Sequence, residues 1–196
     1  MRKQYPHIKG MMPILPTFVD AFGEPDLKAQ GRVVEYLIES GAVAIGHMGG
    51  ASEYGKVSEY DRDPILRTLS EQVAGRVPIF IGTTDYTRKT ALKRAEAAKG
   101  QGASMIMVCS PPAGVLTRHY YEDVGKATDL PIIVQDTGAS YAHYPADTLQ
   151  EIYDRVETVG YVKSEGINCL PKTKQLREAF GDKVQIIGGS AGYAMP

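Results

Sequence analysis

Cysteine is scarce in this 196-residue chain: only Cys109 and Cys169 occur. Two isolated thiols make neither a disulfide framework nor a metal-type pair, so both are expected free, in a reducing cytoplasm. Cys109, at a predicted strand end, is expected as a packed core thiol. Histidine is equally sparse, and His7, His47, His119 and His143 are scattered. None pairs at helical spacing with a second histidine and a carboxylate, so no metal site is expected. No Gly-x-Ser-x-Gly elbow occurs, which disfavours a serine hydrolase. A dinucleotide-type glycine turn is missing after the first apolar stretch, where Phe18-Val19-Asp20-Ala21-Phe22-Gly23 stands instead. No apolar run could span a bilayer, and the basic start from Met1 to His7 meets Pro13 and Pro16 before any secretory core could form. Excess charge is absent too. A net charge of −1 gives no reason to expect nucleic acid or an anionic membrane as partner.

What is present is a recurring unit. Short apolar runs begin near Val43, Pro78, Ser104, Pro131, Val159 and Val184, within a unit that recurs as apolar run, polar or glycine-rich loop and amphipathic helical pattern. Runs such as Met105-Ile106-Met107-Val108 and Ile132-Ile133-Val134 are continuous rather than alternating. Strands buried on both faces read this way, which points to a parallel sheet covered by helices. The predicted strands are 12–17, 43–48, 78–82, 104–109, 131–135, 159–163 and 184–187. Predicted helices run from Asp26 to Glu39, from a Ser58 cap, from Thr87 to Lys99, from Pro145 and from Pro171 to Phe180. No linker or second domain is visible. The alternation leaves two α/β architectures, an open doubly wound sheet or a (β/α)8 TIM barrel, and placement of the chemically promising loops after strand ends favours the barrel. A full barrel takes about 250 residues. The chain is therefore expected to hold about seven of the strands in a single domain over residues 1–196, with the C-terminal part missing.

The sixth predicted strand ends in Val159-Gly160-Tyr161-Val162-Lys163-Ser164-Glu165. Alternate side chains share a face, so Lys163 and Glu165 point the same way. A lone strand-end lysine more often reaches water over its own stem. In an apolar mouth the amine loses hydration, and its neutral form attacks a ketone to give a Schiff base. Other strand ends offer Gly49-Gly50-Ala51-Ser52-Glu53, whose amides suit an anion nest, the pair Gln135-Asp136, and Gly188-Gly189-Ser190 as a second anion loop. Gln135 only hydrogen-bonds, and Asp136 faces the other way from it. Thr83-Thr84 supports a site or caps the next helix, and Ser110-Pro111-Pro112-Ala113-Gly114 makes a stiff wall.

Pro13-Ile14-Leu15-Pro16-Thr17-Phe18, Ala74-Gly75-Arg76-Val77-Pro78-Ile79, Asp129-Leu130-Pro131-Ile132-Ile133 and Val159-Gly160-Tyr161-Val162-Lys163 together resemble the dihydrodipicolinate synthase / N-acetylneuraminate lyase family. The resemblance runs from Gly10 to Pro196 and implies a (β/α)8 barrel, a class I lyase mechanism without cofactor, a homo-oligomer (dimer or tetramer), and Lys163 as the Schiff-base lysine. Several family positions differ. The Gly-Thr-Thr-Gly-Glu loop reads here Gly49-Gly50-Ala51-Ser52-Glu53, and the proton-shuttling tyrosine that ends the fifth strand is Gln135. The shorter loop at Pro111–Gly114 leaves no counterpart for a tyrosine donated by a neighbouring subunit, and no arginine follows Asp136 before Pro145. Ser52-Glu53, Gln135-Asp136 and the stretch from Tyr161 to Glu165 are similar to a sugar-acid branch typified by 2-keto-3-deoxy-L-arabonate dehydratase.

The expected function is thus Schiff-base dehydration of a 2-keto-3-deoxy sugar acid, a small 2-keto acid. Lys163 is the nucleophile, Glu165, Gln135 and Asp136 are candidates for the catalytic set, and Gly49, Gly50, Ala51, Ser52, Glu53, Gly189 and Ser190 bind substrate. A pyruvate-dependent aldolase is the alternative, and a non-catalytic sugar-acid binding or regulatory protein is the third reading. Because Gln135 cannot take a proton, it tilts the balance from retro-aldol cleavage toward dehydration.

Overall fold

A computed structural model describes residues 3–109, 117–137, 144–166 and 169–189. Among the described residues six strands follow one another in chain order: β1 (Ile45–His47), β2 (Ile79–Gly82), β3 (Met105–Val108), β4 (Ile132–Asp136), β5 (Val159–Ser164) and β6 (Gln185–Gly188). The β1–β2, β4–β5 and β5–β6 pairs are parallel. Helices α1 (Leu27–Glu39), α2 (Glu59–Val73), α3 (Arg88–Ala98), α4 (Thr117–Ala127), α5 (Ala146–Arg155) and α6 (Cys169–Phe180) alternate with them. Among the described residues no helix is long and apolar enough to cross a membrane.

The chain divides into two compact units, one of segments Ile8–Gly82 and Ala97–Ile106, the other of Met1–His7, Thr83–Glu96 and Met107–Pro196. In the first, Leu15, Val34, Ala44, Ile45, Ile65, Leu66, Leu69 and Ile81 form a dry core. Ser58 caps α2 as its sequence predicts, accepting from the Asp61 amide. The first apolar stretch departs from expectation. Instead of a strand over 12–17, Ile14 makes a single parallel bridge to Gly46, with Leu15 N donating to Gly46 O at 2.9 Å and Gly46 N to Pro13 O at 2.8 Å. Pro13 and Pro16 have no N–H to extend the ladder. Past β1 the backbone tightens: Met48 adopts a left-handed φ of 59°, and a Cβ on Gly82 would stand 1.9 Å from the Met48 carbonyl oxygen. Only glycine admits that approach.

In the second unit the strands are as buried as their unbroken apolar runs require. Ile132, Ile133, Val134, Val159, Tyr161 and Val162 are all within 2 % of full burial. Tyr5 lies where a Cβ on Gly160 would be, 2.4 Å from its ring, and Tyr161 donates to the Pro6 carbonyl at 3.0 Å. By strand alternation Tyr161 shares its face with Lys163, so the N-terminal segment closes that face below the lysine. Helix α4 was not among the predicted helices; its buried side chains are the aromatic Tyr120 and Tyr121 with Val124.

Candidate active site

In parallel register Gln135 on β4 stands beside Lys163 on β5, and Lys163 beside Ile187 on β6. Glu165 follows β5 directly, its backbone N–H donating to the Asp136 carbonyl at 3.0 Å. Its carboxylate joins the two neighbours. Oε1 lies 3.0 Å from Lys163 Nζ, and Oε2 accepts from Gln135 Nε2 at 2.9 Å. The side chains of Lys163 and Glu165 are only 15 % and 14 % exposed, so amine and carboxylate face each other largely out of water. A charge-assisted contact of this kind is both stronger and better oriented than a solvated one. Three of the four predicted catalytic residues are thereby brought together.

Gly189 completes this cluster in an unforeseen way. A Cβ there would lie 2.2 Å from Glu165 Cγ and 2.5 Å from its Cδ and Oε1. Gly189 is buried, with its amide donating to Ser164 O at 3.1 Å. What the structure gives it is clearance for the Glu165 side chain. Ser190, the Ser110–Gly114 wall and His143 lie outside the described residues.

Asp136 belongs to a different cluster. Fully buried on the opposite side of β4 from Gln135, it forms an ion pair with Lys172 of α6 and accepts the Tyr144 N–H on Oδ1 at 2.9 Å. Lys172 also donates to the Tyr144 carbonyl. The Tyr144 hydroxyl lies 3.4 Å from that of Tyr121, which donates to the Val108 carbonyl at 3.0 Å. Cys109 sits beside this group at 1 % exposure. Burial, opposed by a hydrogen bond with Tyr144, pushes its thiol up to about 12, which keeps it protonated and inert. Lys172 escaped the sequence reading, although its spacing carried a signal: Lys172, Leu176 and Phe180 recur at four-residue intervals on the buried stripe of α6. Thr84 accepts the Cys109 N–H at 3.0 Å, while Asp85 and Thr87 hold the entry to α3.

In the other unit, Gly50–Ser52 form a short 3-10 turn between Gly49 and Glu53. The buried Ser52 hydroxyl donates to the Leu15 carbonyl at 2.5 Å and accepts the Gly49 N–H at 3.3 Å. The Ser52 amide meets Gly49 O and the Glu53 amide meets Gly50 O. The hydroxyl thus builds the turn. Gly50 and Ala51 are exposed, and Glu53 reaches outward to Lys56 at 2.8 Å, its side chain 64 % exposed. Nearby His47 is fully buried and accepts the Met48 N–H on Nδ1 at 2.8 Å. Burial, with the Arg62 charge second, brings its ring down to about 4. Among the described residues no cluster of three or more His, Cys, Asp or Glu side chains converges as a metal site would require.

Comparison with known proteins agrees with this architecture. L-2-keto-3-deoxyarabonate dehydratase of Azospirillum brasilense is 32 % identical over 187 residues, covering 92 % of this chain and 60 % of that protein. A 4-hydroxy-tetrahydrodipicolinate synthase of Psychrobacter sp. is 23 % identical over 193 residues, 96 % of this chain and 63 % of that one. The chain therefore spans about three-fifths of the length of these curated relatives. Among solved structures, dihydrodipicolinate synthase of Acinetobacter baumannii complexed with pyruvate superposes with a TM-score of 0.89 at 22 % identity, over 96 % of this chain and 66 % of that one. N-acetylneuraminate lyase of Mycoplasma synoviae gives 0.80 at 22 % identity, over 92 % and 69 %. The shared fold is a (β/α)8 barrel, carried here in part. A family model described as "Dihydrodipicolinate synthetase family" matches residues 7–195, and the chain belongs to that family.

Proposed function

We propose that this chain carries the Schiff-base centre of a lyase that dehydrates a 2-keto-3-deoxy sugar acid. The observation behind this reading is the contact of Lys163 Nζ with a Glu165 carboxylate whose other oxygen is held by Gln135. Lys163 attacks the C2 ketone, and loss of water from the carbinolamine gives an iminium ion. The iminium acidifies C3. Glu165, within reach of the nitrogen, removes a C3 proton, and the enamine expels the C4 hydroxyl as water after protonation. Hydrolysis of the imine then frees Lys163 and a product one water lighter than the substrate. Gln135 donates a hydrogen bond and takes no proton, so it fits the role of fixing Glu165. Retro-aldol cleavage needs a base at the C4 hydroxyl, and a glutamine at this strand end does not supply one. The similarity to L-2-keto-3-deoxyarabonate dehydratase supports the same branch.

The test is covalent trapping. Incubation with pyruvate or a 2-keto-3-deoxypentonate followed by borohydride is expected to fix one adduct on Lys163, read by peptide mass. Lys163→Ala abolishes labelling and turnover. Glu165→Gln keeps labelling and slows elimination roughly 10²-fold or more, the range of a positioned proton-transfer group. Release of free pyruvate from the sugar acid would select the aldolase reading. Wild-type protein that never labels would overturn the Schiff base and leave a binding protein.

A further inference from the structure

Buried ion pairs are costly to desolvate, so one next to a candidate site invites the question of what it holds in place. Asp136 is 0 % exposed and Lys172 6 %. Each has a second partner in Tyr144: its N–H donates to Asp136 Oδ1 at 2.9 Å, and its carbonyl accepts from Lys172 Nζ. The pair therefore joins the end of β4, the entry to α5 and the first turn of α6. Two features tie that junction to Glu165. The Asp136 carbonyl receives the Glu165 N–H at 3.0 Å, and the neighbouring Gln135 side chain, on the other face, donates to Glu165 Oε2. From the other direction, Glu165 runs into Gly166, which turns in the left-handed region (φ 98°) toward α6, with the Thr137 carbonyl 3.2 Å from where its Cβ would be. Glu165 is thus suspended between two segments, and the Asp136–Lys172 contact ties them together.

We propose that Asp136 and Lys172 act together as a positioning pair that sets the Glu165 carboxylate against Lys163. Neither touches the reacting atoms; both act through the backbone on either side of Glu165. The inference rests on the Schiff-base reading and makes a separable claim. If the pair works as a unit, Asp136→Asn and Lys172→Met each impair elimination, and the double variant is no worse than either alone. An independently catalytic Asp136 would give multiplicative losses instead.

The experiment compares wild type, Lys172→Gln, Lys172→Met, Asp136→Asn and the Asp136→Asn/Lys172→Met double variant. Lys172→Gln keeps a donor for Asp136 and serves if the methionine variant does not fold. Turnover of a 2-keto-3-deoxypentonate is expected to fall at least tenfold in kcat for each single variant. The rate of borohydride trapping with pyruvate stays within about twofold of wild type, because Lys163 keeps its place in β5 and its amine remains available to the ketone. A crystal structure of Lys172→Gln is expected to show Glu165 Oε1 out of hydrogen-bond reach of Lys163 Nζ. The proposal is overturned if folded Lys172→Gln retains wild-type kcat, if trapping falls as far as kcat, if the single losses multiply in the double variant, or if Glu165 keeps its 3.0 Å contact in the variant crystal. Failure of the wild type to trap pyruvate overturns the Schiff-base reading, while the crystal structure still decides whether the pair positions Glu165.

Discussion

Gly189→Ala tests the site at its tightest point. The added Cβ would lie 2.2 Å from Glu165 Cγ and 2.5 Å from Cδ. Ordinary contact needs about 3.5–4.0 Å between carbons, so the glutamate stem must retreat by more than about 1 Å. The nearest atom is Cγ, close to the backbone, so a rotation at the far end of the side chain does not relieve the clash; χ1 or the backbone must change. From 3.0 Å to Lys163 and 2.9 Å to Gln135, such a shift takes both contacts past hydrogen-bond range. Misplacing a catalytic group by about 1 Å costs on the order of 10²-fold in rate, or ~2.7 kcal/mol of barrier. Overpacking adds about 1–3 kcal/mol of destabilisation, which leaves an ordinary domain folded. Gly188→Ala is the control, since nothing lies within 4 Å of its Cβ position and its φ is not positive. The assay pairs dehydration kinetics with borohydride trapping. Gly189→Ala should lose about 10²-fold in kcat, keep trapping on Lys163 and unfold cooperatively, while Gly188→Ala stays close to wild type. If the two variants turned over alike, Glu165 would not be the group that moves the proton.

His47 gives a pH-dependent stability. Its ring falls from 6.5 to about 4 on folding, chiefly through burial, so the unfolded chain takes up that proton first. The contribution is complete above pH 6.5 and is lost as pH falls toward about 4; it amounts to ~3 kcal/mol at about 1.4 kcal/mol per pH interval. Urea midpoints at pH 7 and 4.5 should differ more for wild type than for His47→Gln, and equal differences would refute the assignment. Cys109, pushed up to about 12 by burial, should resist iodoacetamide at pH 8.5 in the folded protein and react once urea exposes it; rapid native alkylation mapped to Cys109 would contradict its placement.

The strands were legible because burial on both faces writes itself into the sequence as unbroken apolar runs. Five predicted strands, from Val43 through Val159, and the last near Val184 fall within about two residues of the observed ones. The exception at 12–17 follows from the two prolines, which permit an extended segment and forbid a continued ladder. Helix α4 was unread because its apolar face is built of adjacent tyrosines rather than spaced aliphatic residues. In the site, strand alternation sufficed to place Lys163 and Glu165 together, since that relation is local. Gln135 opposite Lys163 depends on the β4–β5 register, which no local pattern encodes. Ser52 and Gly189 were read for their chemistry as ligand groups. Their observed parts are structural: a hydroxyl engaged by Leu15 and Gly49, and a missing side chain that makes room for Glu165.

These contacts bear on the chemistry. With the Ser52 hydroxyl held by backbone, Glu53 directed to Lys56, and Asp136 paired with Lys172, the proton-exchanging group beside the candidate nucleophile among the described residues is Glu165. Under the proposed reaction a single carboxylate next to the imine nitrogen must serve C3, the carbon adjacent to C2. Dehydration asks for that position first. Cleavage between C3 and C4 asks for a base one carbon further out, at the C4 oxygen, where the resembling family uses the tyrosine that is here Gln135. An amide that donates to Glu165 both removes that base and steadies the remaining one. The same residue change therefore argues against one reaction and for the other, and Gln135→Tyr is the substitution that would separate them within this scaffold.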